Sequence, residues 1–123
     1  MAWSANNQKF ACCTADRVVH LFDDLGEKRD KFSTKPCDSK FGKTSYLVSA
    51  LAFSPDGSML AIAQTDNIVF VYKIGYEWGE KKSIVAKLIQ NSAITCMTWL
   101  LDGQIIFGLA DGKVGRKATG RID

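Results

Sequence analysis

The sequence holds a single histidine, His20, among its 123 residues. With only one imidazole, its four cysteines have little to build a zinc site with. Cys12 and Cys13 are adjacent, and neighbours on a strand point to opposite faces, so the pair cannot hold an ion as a CxxC pair does. Cys12, Cys13 and Cys96 read instead as small buried hydrophobes in strands, and Cys37 as a loop thiol. Nothing in the pattern suggests a secreted disulfide framework. No run approaches the ~20 apolar residues of a membrane helix, and no signal peptide opens the chain. The net charge of +3 is too weak to imply nucleic acid by itself. A Gly-rich phosphate loop, a nucleophile beside a base, a clustered carboxylate pair and a metal constellation are all missing. The expectation is a protein that is not an enzyme and uses no cofactor, metal or small-molecule substrate.

What is present is a repeat. The stretch Ser49 to Lys73 reads as three strands and two tight turns. Leu51 and Phe53 alternate with small residues and stop at Ser54-Pro55-Asp56-Gly57, an Asp-Gly turn signal. Met59 to Ala63 is a nearly continuous apolar strand. Thr65-Asp66-Asn67 turns the chain, since Asn tolerates a positive φ, and Ile68 to Tyr72 is rich in β-branched and aromatic residues. Such a meander cannot bury both faces alone and needs copies stacked on either side.

Those copies are Met1 to Asp23 and Thr95 to Thr119. Trp3, Phe53 and Trp99 end the first strand of each, and Asp16, Asp66 and Asp111 mark the same turn, at intervals of roughly 45 to 50 residues. An interval of this size, with three strands visible and a fourth implied, is the signature of WD40-type β-propeller blades. Phe22-Asp23 and Tyr72-Lys73 stand where the repeat's Trp-Asp pair belongs. The expected architecture is all-β: a WD40-type propeller fragment of antiparallel meander sheets, two blades plus most of a third. Its divisions are 1–48 for the first blade and connecting loop, 49–92 for the second, 93–114 for a partial third, and 115–123 for a divergent, disordered tail. The third blade fails after Val114, where GRKATGRID lacks the apolar alternation of VVHLF and IVFVY. Three blades do not close a ring, so the chain is expected to be a fragment, marginal or aggregating unless partners cover its ends.

Asp16, Asp66 and Asp111 read as structural turn residues that cap amides. Interface candidates come from two loops. One, Thr34 to Thr44, carries Lys35, Lys40 and Lys43 with Phe41, and suits an acidic partner or an anionic lipid surface. Tyr46 beside it either anchors a partner or folds back onto the blades. The other loop, Ile74 to Lys82, carries Tyr76 and Trp78. Trp is enriched at binding hot spots but also packs under neighbouring loops.

Several words of the sequence are more specific than the repeat. MAWS (1–4), TADRVV (14–19), RDKFSTKP (29–36), LAFSPDG (51–57), QTDNIVFVYKIG (64–75), Trp78-Gly79 with Lys81-Lys82, and FGLADGKV (107–114) cover nearly everything to Val114. In these the chain resembles the N-terminal WD40 region of the large intraflagellar transport complex B subunit, whose propellers precede a tetratricopeptide-like solenoid. Gly115 to Asp123 departs from that family. The resemblance implies a non-enzymatic scaffold needed for cilium or flagellum assembly. It implies other complex B subunits as partners, kinesin-2 and dynein-2 motors indirectly, and a place in the cilium, its basal body and the cytoplasm. Competing readings are a peptide-binding or ubiquitin-ligase-adaptor WD40 module, a nucleic-acid binder using the basic loops, and a truncated fragment without function. Scattered lysines disfavour nucleic acid.

Overall fold

The computed structural model describes residues 2–4, 8–34, 46–75, 77–100 and 103–118. Strands β1 (Ala2–Trp3), β2 (Lys9–Cys13), β3 (Val18–Asp23) and β4 (Lys28–Ser33) pair in that order as one antiparallel sheet. Strands β5 (Val48–Phe53), β6 (Met59–Gln64), β7 (Ile68–Lys73) and β8 (Ser83–Ile89) form a second, again in sequence order. Strands β9 (Ile94–Trp99), β10 (Gln104–Leu109) and β11 (Val114–Ala118) form a third. Each sheet is a meander, as the repeat requires.

The turns show why these strands end where they do. The Gly57 amide donates to the Ser54 carbonyl, Arg17 to Thr14, Gly26 to Asp23, Gly103 to Leu100 and Gly112 to Leu109. The donor in each case has a positive φ: Arg17 at 66°, Gly57 at 76°, Gly26 at 82°, Gly103 and Gly112 at 89°. Asp56 is not left-handed, so the Asp-Gly turn uses one positive φ rather than the two of a type I′ turn. Its carboxylate accepts from the Ser54 and Ser58 hydroxyls and the Ser58 amide at 2.7–3.0 Å, which locks the turn. Asn67 takes φ 72°. The pairing of β3 with β4 slips between Leu21 and Phe22, and that of β7 with β8 slips between Val71 and Tyr72. Arg29 and Val85 are the extra, bulged residues, so even the bulge repeats.

The third strand of the last sheet continues to Ala118, which corrects the expectation that the blade fails at Val114. Gln104 pairs with Ala118, and the ladder runs through to Gly108 opposite Val114. Main-chain hydrogen bonds carry this pairing and need no alternation of side chains. Gly115 is required within this strand: a Cβ there would fall on the ring of buried Phe107.

Two cores hold the stack. Ala11, Val19 and Leu21 of the first sheet pack with Leu51, Phe53, Leu60, Ile62, Ile68, Phe70 and Tyr72 of the second. On its other face, Ala61, Ala63, Val69 and Val71 pack with Ile94, Ile105 and Phe107 of the third. The second sheet is thus covered on both sides, which explains the unbroken apolar runs MLAIA and IVFVY. It presents large side chains to the first sheet and, at the centre of the other face, the small Ala61, Ala63, Val69 and Val71 to the third, with Met59 and Leu88 packed around them. The recurring aromatics Phe53 and Trp99 sit on the large faces of their sheets. Cys12 and Cys13 are only half-buried and Cys96 is exposed, against the expectation of buried thiols. Cys96 lies on the side of β9 turned away from the core.

Candidate docking cleft at Trp78

The segment after β7 folds back over the first sheet. Gly75 turns with φ 83° and Gly79 with φ 80°, and the Ile74 and Gly75 amides both donate to the Ser58 carbonyl. Trp78 between these turns is half-buried and packs on the core shared by the first two sheets. Two cations flank its ring: Lys9 Nζ at 5.5 Å and the Arg29 guanidinium at 5.7 Å from the centroid. The bulge in β4 places Arg29 here, and β2 supplies Lys9. Lys9 also donates to the Gly75 carbonyl at 3.0 Å. Burial lowers its pKa against the opposing pull of Glu80 and Glu77.

An open cleft of about 360 Å³ lies beside Trp78, lined by Gln8, Lys9, Asp23, Asp24 and Glu77. Asp23 accepts from the Leu25 and Glu27 amides at 2.9 and 3.0 Å and pairs with Arg29 at 3.4 Å. These amide hydrogen bonds, Glu27's foremost, hold its carboxyl below the ordinary value. The cleft therefore offers an aromatic floor, an acidic rim and fixed cations, a mixture that suits a polar protein surface better than an apolar small molecule. Among the described residues no group of three or more His, Cys, Asp or Glu side chains is placed to hold a metal ion.

One ion pair pins the cleft to the sheets. Asp30 of β4 accepts from Lys82, which precedes β8, and from the Gly79 amide at 3.1 Å. Both side chains are largely buried. Burial opposes ionisation of Asp30, but the hydrogen bonds from Lys82 and the Lys31 and Gly79 amides outweigh it and lower the pKa. The unfolded chain then binds more protons than the folded one in acid, so this stabilisation is complete above the ordinary aspartate range and is lost as pH falls through the native pKa. Asp30→Asn should lower the melting temperature at neutral pH, and the gap to the unaltered chain should close as both are melted toward about pH 3. A gap independent of pH would show that the carboxylate's charge is not what matters.

The remaining sequence candidates are placed as follows. Lys35, Lys40, Phe41, Lys43 and Tyr76 lie outside the described residues, as does Cys37. Asp111 accepts from the Lys113 amide at 3.0 Å, and Asp66 from the Gln64 side-chain amide at 3.0 Å. Asp16 accepts from the Thr14 hydroxyl, and chiefly for that reason its pKa is lowered. Tyr46 is buried, its hydroxyl 2.8 Å from that of Thr34, its carbonyl accepting from Arg17 Nε at 2.6 Å and its ring under the Arg17 guanidinium. It joins two sheets rather than facing a partner. Sequence reasoning passed over Lys9, Asp30 and Lys82. Each looks like an ordinary surface charge, and no local spacing links Asp30 to a lysine in the next blade.

The described geometry agrees with known proteins. The model of the anaphase-promoting complex subunit 4 WD40 domain matches residues 1–102. A mouse protein, intraflagellar transport protein 172 homolog, is 62% identical over 114 residues, covering 93% of this chain. Intraflagellar transport protein 172 of Chlamydomonas reinhardtii is 49% identical over 118 residues and 93% of the chain. Intraflagellar transport protein osm-1 of Caenorhabditis elegans is 48% identical over 111 residues and 90% of the chain. The chain spans only 6% of the mouse and nematode proteins and 7% of the algal one. The β-propeller domain of Myceliophteria thermophila Cps50 (Swd1) superposes with a TM-score of 0.73 at 13% identity, over 95% of this chain and 38% of that one, which supports the propeller fold alone. The chain belongs to the WD40-domain family, and over nine-tenths of its length it is similar to part of the intraflagellar transport 172 proteins.

Proposed function

We propose that this chain is a non-enzymatic scaffold module of intraflagellar transport trains, serving cilium or flagellum assembly by docking protein partners. The observation that carries the reading is 62% identity to the mouse protein across 93% of the chain, at a length where fold alone would leave far less. The partners proposed are other complex B subunits, with kinesin-2 and dynein-2 engaged through them, in the cilium and at its base. The Trp78 cleft supports the reading as a docking place, because a half-buried tryptophan with a charged rim is the usual make-up of an interface anchor. The division into blades 1–48, 49–92 and 93–114, the last extended to 118, is proposed as the unit structure of that scaffold.

The test is tagged expression in ciliated cells followed by capture and mass spectrometry. The chain should enrich complex B subunits over a WD40 domain from an unrelated protein. Reversing the exposed rim with Asp24→Lys and Glu77→Lys should reduce that enrichment at unchanged melting temperature. Equal capture by both WD40 domains would mean generic adaptor behaviour. Unchanged enrichment by the reversed variant would move the docking place away from Trp78.

A further inference from the structure

Charge is unevenly placed on this chain. Its net charge is +3, yet its three glutamates, Glu27, Glu77 and Glu80, all stand in the two segments, 24–27 and 75–80, that wall the Trp78 cleft. Most acids there are already committed. Asp23 is held by two amides and Arg29, and Asp30 by Lys82 and the Gly79 amide. The Glu80 carboxylate accepts from the Glu77 amide at 2.7 Å and lies where a Cβ on residue 75 would be, so Gly75 leaves it room. Asp24 and Glu77 differ from these. Both are exposed, and their carboxylates make no hydrogen bond or ion pair among the described residues. They come from the turns of two different sheets and line one cleft with the half-buried Trp78.

We propose, on the reading that this cleft docks a protein partner, that its occupant is a basic, extended segment, one arginine of which lays its stem on Trp78 and its guanidinium against Asp24 and Glu77. Arginine suits the place better than lysine, because its planar fork meets two carboxylates at once and stacks on an aromatic ring. Lys9, 5.5 Å from the ring centroid, holds the incoming charge at the rim by like-charge repulsion. An acidic segment would find less to bind. Lys9 is hydrogen-bonded to the Gly75 carbonyl with Glu77 and Glu80 near it, and Arg29 is paired with Asp23. A volume of about 360 Å³ is at the low end for a ligand pocket, room for a side chain rather than for a helix.

Fluorescence anisotropy of labelled Arg-Gly-Arg-Gly-Arg, Lys-Gly-Lys-Gly-Lys and Glu-Gly-Glu-Gly-Glu peptides on the full 123-residue chain reads the outcome. The arginine peptide should bind, the lysine peptide more weakly and the glutamate peptide not at all, with binding severalfold weaker at about 300 mM than at about 50 mM salt. Asp24→Asn with Glu77→Gln should weaken the arginine peptide about tenfold at unchanged melting temperature. Asp16→Asn with Asp111→Asn removes the same charge at turns away from the cleft and should leave binding as it was. In proton NMR the Trp78 indole N–H, assigned with Trp78→Phe, should shift on titration while those of Trp3 and Trp99 stay. No arginine-peptide binding up to about 1 mM, equal binding of the glutamate peptide, equal loss in both double variants, or an unmoved Trp78 signal would overturn the proposal. Loss of capture by the rim-reversed chain without peptide binding would keep the docking place and discard its basic occupant. Peptide binding without enrichment of complex B subunits would keep the occupant's chemistry and discard the transport partners.

Discussion

Replacing Ile62 by alanine should cost the chain about 2–5 kcal/mol, a large part of its stability. Ile62 is fully buried in the middle of β6, one of the two inner strands of the only sheet covered on both faces among the described residues. It packs on the first sheet's small face, where Ala11 and Val19 are also fully buried and have no length with which to fill a gap. Removing a large aliphatic group from such a site costs the transfer term plus a cavity, about 2–5 kcal/mol in comparable cores. A domain of this size holds only ~5–15 kcal/mol in total, and one with half-covered outer sheets belongs at the low end. Urea unfolding followed by tryptophan fluorescence measures the loss as a shift of midpoint at constant slope. The same truncation at Ile89, which is 68% exposed at the end of β8, should change little.

The opposite substitution at the opposite face should hurt in the opposite way. Ala63 is fully buried on the small face of β6, against the cluster of Ile94, Ile105 and Phe107. Ala63→Leu adds methylene groups where the facing sheet already supplies the bulk. Overpacking of this kind costs about 1–3 kcal/mol, because neighbours leave their rotamers or the sheets move apart. If sheets stacked without a division into large and small faces, the added leucine would be tolerated or would even fill space. Urea midpoints of Ala63→Leu and of Ile62→Ala, taken together, therefore test the packing rule. Both should fall, one for too much volume and the other for too little. A midpoint for Ala63→Leu at or above that of the unaltered chain would mean that the interface between the second and third sheets is loose.

The sequence carried the strands well because each depends on local signals. β6 and β7 occupy, to within a residue, the spans read as Met59 to Ala63 and Ile68 to Tyr72, and the Asn67 turn has the positive φ expected of it. The last strand was cut short because apolar alternation reports a buried face, whereas β11 is held by main-chain pairing with β10 and has one face uncovered. Cys96 misled for the same reason: a thiol in a strand is buried only if something covers that face. At the Trp78 cleft the tryptophan was legible as a loop aromatic, but its neighbours were not. Lys9, Arg29 and Asp30 come from the first sheet, and Lys82 from the approach to the last strand of the second. Their meeting is a consequence of how the blades stack, which no short spacing encodes. Arg29 reaches Trp78 because of a bulge that the charged run KRDK does not announce.

Native-state hydrogen exchange read peptide by peptide tests the central claim, that stability is concentrated in a sheet stacked between two half-covered neighbours. The amides of β6 and β7 should be the slowest in the chain, exchanging only through global unfolding, while β1 and β11 exchange through local opening. Equal protection across all three sheets, or the slowest exchange in the first or third, would contradict the stacked account.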